Sequence, residues 1–505
     1  MSYFEQRTPP TRDQRLSIGD SFAGTGCGAL DCAKEGCMQQ KGRRFWQAGM
    51  CQMSLSLMMA VTVENSVIIM HAPIGCGSML IPLGISAAKG KMKRGKAPAG
   101  PIWLSTNLKE SDVIGGGEKN LRETILYADR EFHPEIIFVV STCAPSIIGD
   151  DVEEIVRSVG AGTEAQVTAI HCPGFKSRVV ASAYDSFYHS LFSHIQLEPI
   201  PYKDYQPVER SDPDYSMKIR RFNAQKQMTV NLFNATSIGS QDEAELTRLM
   251  CAIGLNVRVY AEFCSAGELR MMSFAGLNVS MCNVHDDYIL KYLQDKYSIP
   301  YIICGMPIGI SATKAWLLEI AEHYGLADKA RSLIESEEEQ LNAALEPLLP
   351  QIKGRRVLIS GGVIRSMSEA LMLNELGMEV VGVDAAHYDS EADPVLHSFS
   401  DELPEIPFAI SSQLYEAINQ IKKLKPDLTI AHNGTHGWLA RAGITSMQLF
   451  DTDKPFFGYA GIYRFVRRMI FALKNTSYSD RLAEHVKLPY KKDWYDKDPF
   501  HYITG

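Results

Sequence analysis

The stretch Ile136–Val156, IIFVVSTCAPSIIGDDVEEIV, decides how the fold is read. The apolar, β-branched run Ile136–Ser141 ends in a turn carrying Cys143, Pro145 and Gly149, and an amphipathic stretch follows. A short, wholly apolar run bounded by turn residues reads as a strand buried on both faces, and strand–turn–helix reads as half of a parallel crossover.

The same order recurs along the chain. Further candidate strands are Ser66–His71, Gln166–His171, Thr229–Leu232, Asn256–Tyr260, Leu277–Met281, Tyr301–Cys304, Arg356–Ser360, Glu379–Val383 and Leu428–His432. Candidate helices include Glu118–Phe132, Asp242–Ile253, Asp286–Lys296, Ala312–His323, Ser366–Leu376 and Gln413–Leu424. Such alternation predicts an α/β protein of doubly wound, Rossmann-like parallel sheets. Two linker-like stretches, the Pro- and charge-rich Pro199–Ser216 and Leu345–Arg356, divide it into three α/β units at 45–205, 217–345 and 354–475. A Cys-containing extension, 1–44, precedes them and a tail, 476–505, follows.

The 505 residues are 45% hydrophobic and 22% charged, with a formal net charge of −8. A negative chain repels a phosphate backbone, which argues against nucleic acid as a partner. The densest basic run, Lys89–Lys96 (KGKMKRGK), lacks interleaved aromatics and reads as a solvated loop. The polar start lacks an apolar signal core, and Met50–Val63 is too short to span a bilayer, so a cytoplasmic protein without membrane attachment is expected. In that compartment the eleven cysteines are expected as thiols or metal ligands rather than disulfides.

In doubly wound sheets, ligands sit beyond the carboxyl ends of the strands. Cys76 follows Ser66–His71 in APIGCGSM, and Cys143 follows Ile136–Ser141 in TCAPSIIGDD, while Cys51 lies upstream in AGMCQMS. Thiolates are the ligands of iron–sulfur clusters, and glycines around Cys76 let backbone approach a bulky inorganic group. A single cysteine is more often an inert buried thiol. Three of them near strand ends weaken that reading for the set.

The segments HAPIGCGSM (His71–Met79), STNLKESDVIGGGEKNL (Ser105–Leu121) and STCAPSIIGDDVEEIV (Ser141–Val156) resemble the nitrogenase component 1 superfamily. The resemblance implies a fold of three Rossmann-like domains around a buried metallocluster. It also implies that Cys51, Cys76 and Cys143 ligate half of a P-cluster-type 8Fe–7S cluster shared with a homologous beta-type subunit in an α2β2 heterotetramer. LNVSMCNVHDDYILKYLQDKYSIPYI (Leu277–Ile302) resembles the catalytic-subunit segment whose cysteine binds the large iron–sulfur cofactor, here Cys282. Weaker likeness runs through Arg356–Asp393 to FFGYAG at Phe456–Gly461. Electrons would come from an ATP-dependent 4Fe–4S reductase protein.

The departures from the family pattern bear on function. The arginine that dinitrogen-reducing members place after the second cluster cysteine is Gly84 here. The glutamine and histidine that follow the Cys-x-Gly-Phe segment are Val180 and Tyr184, in HCPGFKSRVVASAY. At the position of the family's second cofactor ligand, a histidine, stands Gln448 or Phe450. His387, His432 and His436 at predicted strand ends are the alternative imidazoles, each singly more often a loop or supporting residue than a ligand. The pattern for an organic acid is also lost, which points to an all-iron 8Fe–9S–C cofactor.

Cys27, Cys32 and Cys37 are evenly spaced, and an extra 4Fe–4S cluster or unbound thiols are the two readings. Cys172, Cys251, Cys264 and Cys304 are read as structural.

A site lined by Val180 and Tyr184, with His387 nearby, suits a small thioether better than dinitrogen. The resemblance therefore leads to a methylthio-alkane reductase, an oxidoreductase that cleaves C–S bonds in small methylthio compounds. The alternative is the scaffold on which the nitrogenase cofactor is assembled. A true dinitrogenase alpha subunit is less favoured because of Gly84, Val180 and Tyr184, and a tetrapyrrole reductase because of Cys282. GGGEKN lacks P-loop spacing, so ATP belongs to the donor protein.

Overall fold

The computed structural model describes residues 4, 6–9, 11, 22–35, 51–177, 181–195, 197–198, 202–203, 206–207, 210–236, 239–303, 305–449 and 456–501. Three parallel sheets organise them. The first has the order Ile102–Ser105, Ser66–His71, Ile136–Ser141, Gln166–His171. The second runs Tyr301–Ile303, Leu277–Ser280, Thr229–Phe233, Asn256–Tyr260. The third runs Pro407–Ile410, Glu379–Ala385, Arg356–Gly361, Leu428–Ala431, Ser446–Gln448, all parallel. Phe22–Thr25 adds an antiparallel edge strand beside Pro407–Ile410, so part of the N-terminal extension is built into the third sheet.

The central strands Ser66–His71, Ile136–Ser141 and Thr229–Phe233 are buried at every position. This is why continuous apolar runs, rather than alternation, mark them in the sequence. Each sheet reverses its strand order at one place. The reversal falls between Ser66–His71 and Ile136–Ser141, between Thr229–Phe233 and Leu277–Ser280, and between Arg356–Gly361 and Leu428–Ala431. At such a switch point the two crossover connections leave in opposite directions and open a crevice beyond the strand ends.

The helix Ser182–His194 was not apparent in the sequence. It is buried from Ser182 to Leu191 on all sides, so it shows no polar face to reveal its period. Hydroxyls meet several of the buried carbonyls around it. Ser56 Oγ donates to the Ala183 carbonyl at 2.9 Å, Ser186 Oγ to that of His171 at 2.8 Å, and Thr168 Oγ1 to that of Ser190 at 2.5 Å. Its aromatic residues Tyr184, Phe187 and Tyr188 join a core shared by the first and second sheets. A larger core joins the second sheet to the third and includes Cys282.

Two expectations are corrected. The basic run Lys89–Lys96 is not a solvated loop, because its first half ends the helix Leu80–Lys93, where cations complement the helix dipole. Arg94 pairs with Glu243 at 2.5 Å and lies 3.8 Å above the Phe263 ring, and Lys96 pairs with Glu64 at 2.5 Å. The two Arg94 contacts tie the first unit to the second, while the Lys96 pair stays within the first. Cys32 is disulfide-bonded, which removes it as a thiolate ligand, while Cys27 is an exposed thiol. Cys37 and Cys304 lie outside the described residues.

No described helix is long and apolar enough to cross a membrane.

Candidate metal centres

The first centre lies at the switch point of the first sheet. Cys76 sits in the 3-10 turn Ile74–Met79 after one flanking strand, and Cys143 opens the helix Cys143–Ile148 after the other. Cys51 precedes the helix Gln52–Ala60. The three thiols are close enough to act on one another: burial raises the Cys76 thiol pKa first, then the neighbouring charges of Cys143 and Cys51. Gly174 closes the group. Its amide donates to Cys143 Sγ at 3.2 Å, and a Cβ there would stand 3.0 Å from Cys51 Sγ and 3.7 Å from Cys143 Sγ.

The loops that present these thiols are locked together. His71, the last residue of its strand, bridges Thr106 Oγ1 at 3.1 Å and Asp150 Oδ2 at 3.0 Å. Burial lowers the His71 pKa against the pull of Asp150. Asp150 also accepts the Gly117 amide at 3.0 Å, and a Cβ on Gly117 would meet Leu108, Asp150 and His71 all within 3.0 Å. Thr142 Oγ1 donates to the His71 carbonyl at 3.2 Å. The GGG and GDD motifs of the sequence are thus one bracket holding the turns of Cys76 and Cys143 in register. Cys172, read as structural, donates its S–H to Ser56 at 3.0 Å, and burial pushes it up to about 12.

Among the described residues, no three His, Cys, Asp or Glu side chains converge on a single metal ion. Three thiols spread around a glycine instead suit part of the ligand set of a larger cluster. Cys51 is exposed, and apolar residues stand in water on elements of the same unit: Ile74 (57% exposed), Ile81 (63%), Ile114 (89%), Ile147 (70%) and Phe175 (56%).

The second centre lies where the switch points of the second and third sheets meet the helix Ser182–His194. Cys282 follows Leu277–Ser280 and precedes the helix Asn283–Tyr297, which opens three residues earlier than the sequence suggested. Its side chain is buried, and burial, followed by Asp286, pushes the thiol up to about 12 against Arg365 and the amides of His285 and Val284. A metal taking this sulfur displaces its proton. Asp286 is turned away from solvent and accepts from Ser280 Oγ at 2.5 Å, while Ser280 Oγ receives the Cys282 amide at 2.9 Å.

Tyr184 stacks on His285 with ring centroids 4.2 Å apart and planes 8° from parallel. Burial raises the Tyr184 phenol well above its ordinary value, as do Glu262, Asp286 and Cys282, so it stays a neutral donor. From the helix Val363–Glu375, which follows the third-sheet strand Arg356–Gly361, Arg365 stands 4.7 Å over the Phe456 ring, and its charge is felt by Cys282, Tyr184 and His432. Asp242 accepts the amides of Phe456 at 2.7 Å and Phe457 at 3.0 Å, which docks the GYAG helix against the second unit.

The candidate imidazoles separate. His432 follows a switch-point strand, and its pKa is lowered by burial and by Arg365. His436 bonds Ser446 Oγ at 2.9 Å through Nδ1. His387 follows Glu379–Ala385, one strand outward from the switch point. Gln448 ends an edge strand, where its carbonyl accepts from Arg468 at 3.2 Å. Val180 and Phe450 lie outside the described residues. Gly84 is buried against Pro101, and a Cβ there would come within 3.1 Å of the proline ring. His285 and Arg365 escaped the sequence reading. The signal for His285 was its position three residues after Cys282, on the first turn of the following helix.

A model of the family described as nitrogenase component 1 type oxidoreductase matches residues 51–474. The nitrogenase molybdenum-iron protein alpha chain of Methanothermobacter marburgensis is 25% identical over 450 residues, 87% of this chain and 89% of that relative. The nitrogenase iron-molybdenum cofactor biosynthesis protein NifE of Rippkaea orientalis is 26% identical over 444 residues, 86% of each chain. The solved structure described as nitrogenase Cp1 at pH 5 shares the fold, with a TM-score of 0.69 at 18% identity over 97% of this chain and 99% of that one.

Proposed function

Because the chain belongs to the nitrogenase component 1 type oxidoreductase family, we propose that it is the cofactor-bearing subunit of a reductase that cleaves C–S bonds in small methylthio compounds. Cys51, Cys76 and Cys143 hold half of a P-cluster-type 8Fe–7S cluster, with a beta-type partner subunit supplying the other half. The exposed Cys51 and the apolar residues around Ile74, Ile147 and Phe175 support such a partner. Cys282 holds a large iron–sulfur cofactor, an all-iron 8Fe–9S–C group in this reading, with His432, His436, His387 and Gln448 as the candidates for a second contact. The chemistry such a cofactor supplies is delivery of electrons to a bound small molecule. Those electrons come from an ATP-dependent 4Fe–4S reductase protein.

The observation that carries the substrate class is the Tyr184–His285 stack beside Cys282, together with Gly84 packed on Pro101. Where dinitrogen-reducing relatives carry an arginine, the Cβ of any side chain would press on Pro101 at 3.1 Å. Where they carry a histidine there is an aromatic ring. An aromatic lining accepts a thioether through sulfur–aromatic contact and dispersion. Reduction of R–S–CH3 breaks one C–S bond, takes up two electrons and two protons, and yields R–H and methanethiol.

The second reading, an assembly scaffold, is favoured by likeness to NifE that equals the likeness to alpha chains. One experiment separates the two. The chain is purified without oxygen together with its partner subunit, its iron is counted, and ethyl methyl sulfide is supplied with the reductase protein and MgATP. A reductase releases methanethiol over many turnovers and keeps its iron. A scaffold makes none and surrenders iron to an acceptor protein. Cys282→Ala should lose the larger share of iron and all turnover, while Cys76→Ala should lose the shared cluster.

A further inference from the structure

The histidine that dinitrogen-reducing relatives carry after their Cys-x-Gly-Phe segment is Tyr184 here, but an imidazole stands against that tyrosine from another element. We propose that His285 is a hydrogen-bond donor of the Cys282 centre, with Tyr184 and Asn234 setting its plane and its tautomer.

Three contacts fix the ring. The backbone of His285 is tied to the cluster cysteine, its amide donating to the Cys282 carbonyl at 3.0 Å. The ring lies flat on Tyr184 at 4.2 Å, and Tyr184 is held in a helix buried on all sides. Nδ1 stands 2.9 Å from the Asn234 side-chain nitrogen. An amide nitrogen only donates, so Nδ1 accepts, and the neutral ring carries its proton on Nε2. Asn234 follows Thr229–Phe233, the strand on the other side of the switch point from Cys282, and adopts a left-handed φ of 58°. Asparagine tolerates that conformation better than most residues. The two strands that bound the crevice therefore each contribute one member of the Asn234–His285 pair.

This arrangement holds the Nε2–H donor in a fixed plane. Resting on the thioether reading for its substrate, the role of Nε2–H is to stabilise the negative charge that gathers on sulfur as the C–S bond breaks. A preorganised donor to developing charge is worth roughly 10²–10³ in rate.

The test uses the complete complex with its partner subunit and reductase protein. His285→Phe preserves the stack and removes the donor, whereas His285→Gln keeps an amide N–H in its place. Expected for His285→Phe are unchanged iron content, a kcat for ethyl methyl sulfide about a hundredfold lower, and partial recovery in His285→Gln. A readout free of turnover accompanies these. Electron spin-echo spectra of the reduced protein should show nitrogen modulation from native His285 that disappears in His285→Phe. Native rate or unchanged modulation in His285→Phe overturns the proposal, as does loss of iron, which would make His285 structural. If the native complex consumes no thioether but the modulation vanishes in His285→Phe, the substrate reading falls and the donor stands.

Discussion

The amide of Gly174 donates to the sulfur of Cys143 at 3.2 Å, and the same glycine leaves no more than 3.0 Å between a hypothetical Cβ and the sulfur of Cys51. Replacement by valine should therefore push Cys51 aside and weaken the shared cluster. Outer-shell changes of this kind cost about 10–100-fold in metal affinity. Iron analysis after mild chelation should show loss confined to that cluster, with the iron at Cys282 retained.

Tyr184→Phe keeps the ring that stacks on His285 and removes only the phenol. One lost hydrogen bond is worth about 0.5–1.5 kcal/mol, so turnover should fall roughly three- to tenfold with iron content intact. Steady-state rates and iron counts on the same preparation check this. Iron loss would show that the phenol supports the fold rather than the substrate.

His189 gives the protein a defined acid sensitivity. Its Nδ1 bonds the Tyr288 hydroxyl at 2.7 Å, and burial lowers its pKa from 6.5 to about 4, with His171 and His194 adding to the effect and Glu153 opposing it. The folded state thus prefers the neutral ring. Stability is complete above pH ~6.5 and declines as the pH falls towards 4, because the unfolded chain takes up the proton first. The loss is on the order of 2–3 kcal/mol. Denaturant midpoints between pH 7 and 5 should fall for the native chain and flatten for His189→Gln. Burial would raise Glu153, but hydrogen bonds to and the charges of His171 and His194 outweigh it and lower the pKa to about 2, so its contribution is lost only below the unfolded value of 4.5 and does not disturb that window.

Asp242 docks the GYAG helix by accepting two backbone amides, and burial raises its pKa to about 6. Asp242→Ala strands both N–H groups and should cost roughly 2–4 kcal/mol. Asp242→Asn keeps an acceptor without a charge to bury and should cost much less. Thermal unfolding at pH 7 distinguishes them.

Much of this molecule is legible from its sequence because parallel strands buried on both faces leave unbroken apolar runs. Ser66–His71 and Ile136–Ser141 are found at their observed limits for that reason, while Gln166–His171 and the edge strand Asn256–Tyr260 are marked by β-branched residues alternating with polar ones. Ile102–Ser105, Pro407–Ile410 and Ser446–Gln448 were missed. They are strands of three or four residues, too short for a run or an alternation to stand out. The helix Ser182–His194 was missed because burial on every side erases the polar–apolar period.

Local order along the chain was enough to read the α/β class, the parallel sheets, the family likeness and the cysteines that stand after strands. Tertiary structure alone decided that Gly174 closes on Cys51 and Cys143, that Gly117 and Asp150 bracket His71, and that His285 faces Tyr184. Each of those pairs joins residues far apart in the chain. Strand order, not sequence order, creates the crevices where they meet, and strand order is settled by which apolar faces bury one another.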